Sequence, residues 1–158
     1  MKIGIICSTG GHLTQALSAL ESFEGHDCFL VIQDFPSVKG IRLDEISRIH
    51  HLRIFLNYSI WTGVLLSLFV NLFQLISIFW KEKPDILFST GAEVAIPAFL
   101  IGKYLFRAKL IFLESLARIQ DLSSTGKILY RISDLYLVQW PELLRKAGPK
   151  AVYQGRLF

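Results

Sequence analysis

Short β-branched runs alternate along this chain with stretches whose apolar residues recur every three or four positions. Lys2–Cys7 (KIGIIC) is apolar after its first residue and stops at Ser8-Thr9-Gly10-Gly11, which predicts a buried strand and a glycine turn. Leu13, Ala16, Leu17 and Leu20 then fall at helical spacing within His12–Phe23. Cys28–Gln33 predicts a second strand, Asp34–Ile49 a polar surface loop around Pro36 and Gly40, and His51–Phe55 a third strand. A long apolar helix follows and breaks at Lys83-Pro84-Asp85. Beyond it the pattern predicts strands at Ile86–Ser89, Lys109–Leu113, Leu135–Gln139 and Ala151–Tyr153. Helices are predicted from about Glu93 to Phe106, over Thr125–Ile132 and after Pro141.

Strands alternating with helices predict an α/β fold, a Rossmann-like parallel sheet with helices on both faces. Such sheets bind ligands at the carboxyl ends of their strands, near the point where strand order reverses. Three turns fall at strand ends: Ser8–His12, Ser89–Gly91 and Glu114–Arg118.

The apolar helix changes the picture. No charged residue occurs from Ile54 to Trp80, and Ser59–Trp80 is long enough to span a bilayer. A single span would put its two flanking strands on opposite sides of a membrane, yet a crossover returns the chain to one sheet. The helix is therefore expected to lie on the domain, in the membrane interface. Gly63, Ser67, Asn71, Gln74, Ser77 and Lys81 form a weakly polar face, and Trp61, Leu65, Leu68, Leu72, Phe73, Phe79 and Trp80 lie off it as the membrane-binding set. Arg53, Lys81 and Lys83 suit anionic headgroups. Packing against another subunit and a membrane-inserted segment are the alternatives.

Composition narrows the function. Hydrophobic residues make up 52% of the 158 and charged residues only 19%, with a net charge of +4. That balance fits a lipid surface or a phosphorylated substrate. No basic run or aromatic RNA motif points to nucleic acid. Cys7 and Cys28 sit in strand-like runs and are expected as buried thiols, and no metal-ligand spacing occurs. The start of the chain does not read as a signal peptide.

Ser8-Thr9-Gly10-Gly11-His12 lacks the spacing of a dinucleotide fingerprint and the Gly-Lys-Ser/Thr of a P-loop. That counts against a nucleotide-dependent oxidoreductase. Its glycine amides at a helix start suit phosphate or pyrophosphate, and an ordinary strand–helix turn is the plainer alternative. Thr90 and Gly91 open a second such turn. Glu114, directly after a buried strand, and His12, in the first helical turn, are the candidate general bases. Arg118 is a candidate phosphate contact, although a surface ion pair is the commoner use of such a residue.

Taken together, Ser8–His12, Ser89–Pro97 (STGAEVAIP), Phe112–Arg118 (FLESLAR), Val138–Leu143 (VQWPEL) and Val152–Phe158 (VYQGRLF) resemble a known family. It comprises PssD-type polysaccharide proteins and the membrane-anchoring subunit of the two-subunit N-acetylglucosaminyltransferase of eukaryotic lipid-linked oligosaccharide synthesis. The resemblance implies that residues 1–158 form one acceptor-side domain, equivalent to the N-terminal half of a MurG-like GT-B glycosyltransferase, with a membrane-associated helix at about 59–80. It implies transfer of a sugar, with inversion, from a UDP-sugar to a polyprenyl-diphosphate-linked sugar at the cytoplasmic face of a membrane. A PssE-type partner would hold the UDP-sugar donor, no cofactor would be tightly bound, and this chain alone would be inactive. Gly10, Gly11 and His12 match the family's first glycine loop, Thr90 and Gly91 its second, and Glu114 its carboxylate motif. The expected site is then Glu114 and His12 as catalytic residues, with Thr9, Gly10, Gly11, Thr90, Gly91 and Arg118 around the acceptor pyrophosphate. The rival reading is a non-catalytic membrane anchor for a catalytic partner.

Overall fold

The computed structural model describes residues 1–35, 46, 48–53 and 60–158, and the side chains of residues 60–68 lie outside that description. Seven strands form one parallel sheet in the order β3-β2-β1-β4-β5-β6-β7. They are β1 (Lys2–Cys7), β2 (Asp27–Gln33), β3 (Arg48–Leu52), β4 (Ile86–Ser89), β5 (Lys109–Leu113), β6 (Leu135–Val138) and β7 (Ala151–Tyr153). The helices are α1 (Gly11–Ser18), α2 (Ile60–Glu82), α3 (Ala95–Phe106), α4 (Ser124–Leu129) and α5 (Leu144–Ala147), with 3-10 turns at Leu20–Phe23 and Pro141–Leu143. The Rossmann-like expectation holds. Residues 36–45 and 47 of the expected surface loop, and residues 54–55 of the expected third strand, lie outside the described residues. The third strand starts at Arg48, three residues earlier than its sequence suggests, because Arg48–Leu52 pairs in register with Phe29–Gln33.

Apolar residues fill both faces of the sheet. On one face Leu13 and Ala16 of α1 and Leu20 meet Ile3, Ile5, Cys7, Leu30 and Ile32. On the other, α2, α3 and α4 bury Leu75, Phe79, Ala98, Phe99 and Leu129 against Phe29, Leu87, Leu110, Phe112 and Tyr136. Cys7 and Cys28 are buried and no disulfide joins them, and burial pushes the Cys7 thiol up to about 12.

From the edge strand β3, α2 crosses β2 and β1 and feeds β4, which pairs with β1. Strand order therefore reverses between β1 and β4, where such sheets open a crevice. Because β3 and β4 point the same way, α2 runs back along the sheet, with its first turns at the carboxyl edge.

Among the described side chains of α2, those turned inward are Asn71, Leu75, Phe79 and Glu82, a stripe at helical spacing. This corrects two expectations. Phe79 is not a membrane residue: it is fully buried and meets the Phe106 ring edge-on at 5.9 Å. The weakly polar positions do not share one face either: Asn71 is buried while Ser77 and Lys81 are exposed. The outward side carries Phe69, Leu72, Phe73 and Trp80, with Trp80 72% exposed. Trp61, Leu65 and Leu68 lie among the side chains outside the description. Among the described residues no helix is long and apolar enough to cross a membrane.

Candidate functional site

The turn after β1 is built by glycine. Gly10 has φ 75° and ψ −139°, a conformation that suits glycine, and it caps α1 with no side-chain hydrogen bond. The first backbone bond into the helix runs from the Thr14 amide to the Gly10 carbonyl at 3.1 Å. The amides of the first turn before it have no carbonyl within the helix. No acidic residue occupies that turn, and the space where side chains of Gly10 and Gly11 would begin is open to 4 Å. A helix start bare of capping groups, with its partial positive charge outward, accepts an anion.

His12 stands on this first turn, and the turn after β4 fixes it. Its Nδ1 lies 2.9 Å from the Thr90 carbonyl. A carbonyl only accepts, so Nδ1 carries a proton, and in the neutral ring Nε2 holds the lone pair. Nε2 has no partner among the described residues. The Thr90 hydroxyl returns a bond to the His12 carbonyl at 2.8 Å. Gly91, at φ 124°, lies under the ring: a Cβ there would stand 2.7 Å from His12 Cε1. Thr90 and Gly91 thus serve His12 instead of facing a ligand. Thr90 is buried with its hydroxyl committed, and the Gly91 amide donates to Ser89 Oγ at 3.1 Å. Their expected direct contact with pyrophosphate is corrected on that ground.

Glu114 also departs from expectation. Its carboxyl has no exposure. Oε1 accepts from the Ser115 amide at 2.9 Å, and Oε2 accepts from the Ser123 amide at 3.1 Å and the Tyr136 hydroxyl at 2.8 Å. Ser123 is the N-cap of α4. The carboxylate ties the start of α4 to β5 and β6 from beneath, where no substrate hydroxyl reaches it in this conformation. Burial and the neighbouring carboxylate push the Tyr136 phenol far above its ordinary value.

Arg118 lies exposed on the loop after β5, with no ion pair among the described residues. Thr9 is partly exposed beside Gly10, and its hydroxyl makes no hydrogen bond among the described residues. The structure therefore gathers Thr9, Gly10, Gly11 and His12 at one edge of the switch point and removes Glu114, Thr90 and Gly91 to the layer beneath. Sequence reasoning missed Gln15 and Gln139, both buried among these loops. Gln15 falls off the apolar stripe of α1, so only the loop folded over it accounts for its burial.

Comparison with known proteins adds the lineage. The mouse and human proteins named "UDP-N-acetylglucosamine transferase subunit ALG14" are 29% and 26% identical, each over 99% of this chain and 83% of their own length. The subunit of the same name from Schizosaccharomyces pombe is 32% identical over 74% of this chain and 56% of its own length. Among solved structures, Acinetobacter baumannii MurG matches 98% of this chain with a TM-score of 0.72 at 17% identity. A UDP-GlcNAc 2-epimerase from Neisseria meningitidis bound to UDP-GlcNAc matches 99% with a TM-score of 0.72 at 15% identity. These likenesses show the fold alone, and this chain spans 46% and 47% of those two chains, about half of each. The family described as "Oligosaccharide biosynthesis protein Alg14 like" matches residues 3–157, and the chain belongs to that family.

Proposed function

We propose that this chain is the acceptor-binding subunit of a two-component, inverting glycosyltransferase of glycan assembly. A separate, PssE-type subunit holds the UDP-sugar, and this chain holds a polyprenyl-diphosphate-linked sugar at the membrane surface. The observation that carries the reading is the open Gly10–Gly11 turn beside His12 Nε2. An anion cradle and a lone pair on a fixed imidazole stand within one helical turn of each other. The relatives are named as UDP-N-acetylglucosamine transferase subunits, which makes that nucleotide sugar the donor to try first.

The acceptor pyrophosphate rests on the first amides of α1, with Thr9 and Arg118 as further contacts. His12 Nε2 takes the proton from the acceptor hydroxyl as its oxygen attacks the anomeric carbon. The bond from that carbon to the UDP oxygen breaks, and the pair leaves with UDP on the partner side. Glu114 acts only by holding the α4 layer. The polyprenyl tail stays in the bilayer beside the outward face of α2.

The test is transfer from radiolabelled UDP-N-acetylglucosamine to extractable lipid, in membranes carrying this chain with and without its donor-binding subunit. Transfer only with both present is expected. His12→Asn places an amide nitrogen near the Nδ1 position, keeps the Thr90 bond and removes the lone pair. It is expected to lower kcat by about 10²–10⁴-fold, the usual worth of a general base. Full activity of His12→Asn would leave the non-catalytic anchor as the better reading.

A further inference from the structure

Two buried amides join the glycine turn at the start of α1 to the loop after β5. Gln15 is 7% exposed and Gln139 1% exposed. Gln15 Nε2 donates to the Gly11 carbonyl at 3.1 Å. Its Oε1 accepts from the Leu116 amide at 2.9 Å and from Gln139 Nε2 at 2.7 Å. Gln139 Nε2 donates also to the Glu114 carbonyl at 3.0 Å, and its Oε1 accepts from the Leu157 amide at 3.2 Å. The Trp140 ring donates to the Leu116 carbonyl at 2.7 Å, so the Leu116 backbone is held at both its N–H and its C=O.

The orientation of both amides is forced. Turning Gln15 over would set its NH2 against the Leu116 amide and its oxygen against the Gly11 carbonyl. Turning Gln139 over would set its oxygen against two acceptors. One side chain therefore reaches the glycine turn with one end and the Arg118 loop with the other.

We propose that Gln15 is a positioning residue that sets the distance between the Gly10–Gly11 turn and Arg118, with Gln139 holding its amide in place. This rests on the glycine turn being the pyrophosphate cradle. The two ends of a diphosphate are then gripped by amides on one element and a guanidinium on another, and Gln15 keeps the two elements in register. Buried polar groups need partners in any protein. Here the partners lie on the start of α1, on the loop after β5 and on the segment after β7, so losing the bridge changes the spacing of these elements.

The experiment is calorimetric titration of the full chain with inorganic pyrophosphate, as a double-mutant cycle. Arg118→Gln is expected to weaken binding about tenfold, the scale of one charge-assisted contact. Gln15→Met, similar in length and without polar atoms, is expected to weaken it by about as much. In the Gln15→Met background Arg118→Gln is expected to cost less than about twofold, because the guanidinium no longer reaches. A purely structural glutamine would lower the folded fraction without abolishing the Arg118 effect, so fully additive losses overturn the proposal. Unchanged binding by Gln15→Met overturns it too, while the cradle reading stands. Absence of pyrophosphate binding by the unmutated chain removes the cradle and this inference together. If Gln15→Met does not fold, Gln139→Met takes its place with the same loss of coupling expected.

Discussion

A methyl group added at Gly126 would overlap Glu114 Oε2 and stand 2.5 Å from the Tyr136 hydroxyl and 2.8 Å from Ser123 Oγ. All three are partners in one buried network, so the clash cannot be relieved by moving a free side-chain end. Gly126→Ala is expected to destabilise the fold by about 2–4 kcal/mol, through overpacking and a buried carboxylate left short of donors. Chemical denaturation measures it, and an unchanged midpoint would mean that the α4 layer yields. At this scale the sequence is ambiguous in a definite way. A carboxylate directly after a buried strand reads equally well as a base or as an internal cap. What decides for Glu114 is Ser123 and Tyr136, nine and 22 residues away, which no local spacing announces. Gly10 was legible because a strand–glycine–helix turn constrains its own backbone.

At the scale of the element, α2 is held by its last residue. Glu82 Oε1 accepts from Arg48 Nε at 3.0 Å and His50 Nε2 at 2.8 Å, and Lys2 Nζ lies 3.4 Å from Oε2. Arg48 also pairs with Asp27 at 2.7 Å. Burial alone would raise the Glu82 carboxyl; the His50 hydrogen bond and the Arg48 guanidinium outweigh it and hold it below the usual carboxylate range. The Arg48 hydrogen bond likewise lowers Asp27. A carboxyl whose folded pKa is depressed contributes stability that is complete above its unfolded value, about 4.3 for Glu, and is lost as pH falls through the folded value. Thermal unfolding from pH 6 to pH 3 is therefore expected to show the midpoint falling. Glu82→Gln should lower it at pH 6 and flatten its acid dependence. An equally steep loss in Glu82→Gln would place the acid sensitivity in other groups. The helix itself was plain in the sequence, since 23 residues from Ile60 to Glu82 hold their charges only at the end. Its inward face was not. The Asn71–Leu75–Phe79–Glu82 stripe is fixed by which side meets β3 and α3, and a helix apolar nearly all round gives hydropathy little contrast to work with.

For the whole molecule, alternation predicted a parallel sheet, but strand order came only from the structure, and order places the glycine turn against the turn after β4. Among the described residues the outer side of α2 stays exposed. Phe69, Phe73 and Trp80 are 64%, 57% and 72% exposed there, and on α3, packed beside it, Tyr104 and Leu105 are 66% and 60% exposed. Apolar surface gathered this way marks an interaction face. Exposed Lys81 and Lys83 follow Trp80, which suits anionic headgroups over neutral ones. Burying one aromatic side chain is worth about 1.5–3 kcal/mol, so losing two to charged residues should cost well over tenfold in partition. Sedimentation with phosphatidylglycerol-containing vesicles is expected to carry down the unmutated chain, less so at high salt, and to leave Phe73→Glu/Trp80→Glu in the supernatant. Because both side chains point outward, the double variant should unfold at nearly the same temperature as its parent. Vesicle binding that survives both substitutions would move the membrane contact elsewhere. If instead the chain ignores vesicles but runs as a dimer that the substitutions dissociate, then α2 meets a second copy and not lipid. The polyprenyl tail would in that case have to reach the glycine turn without α2 beside it.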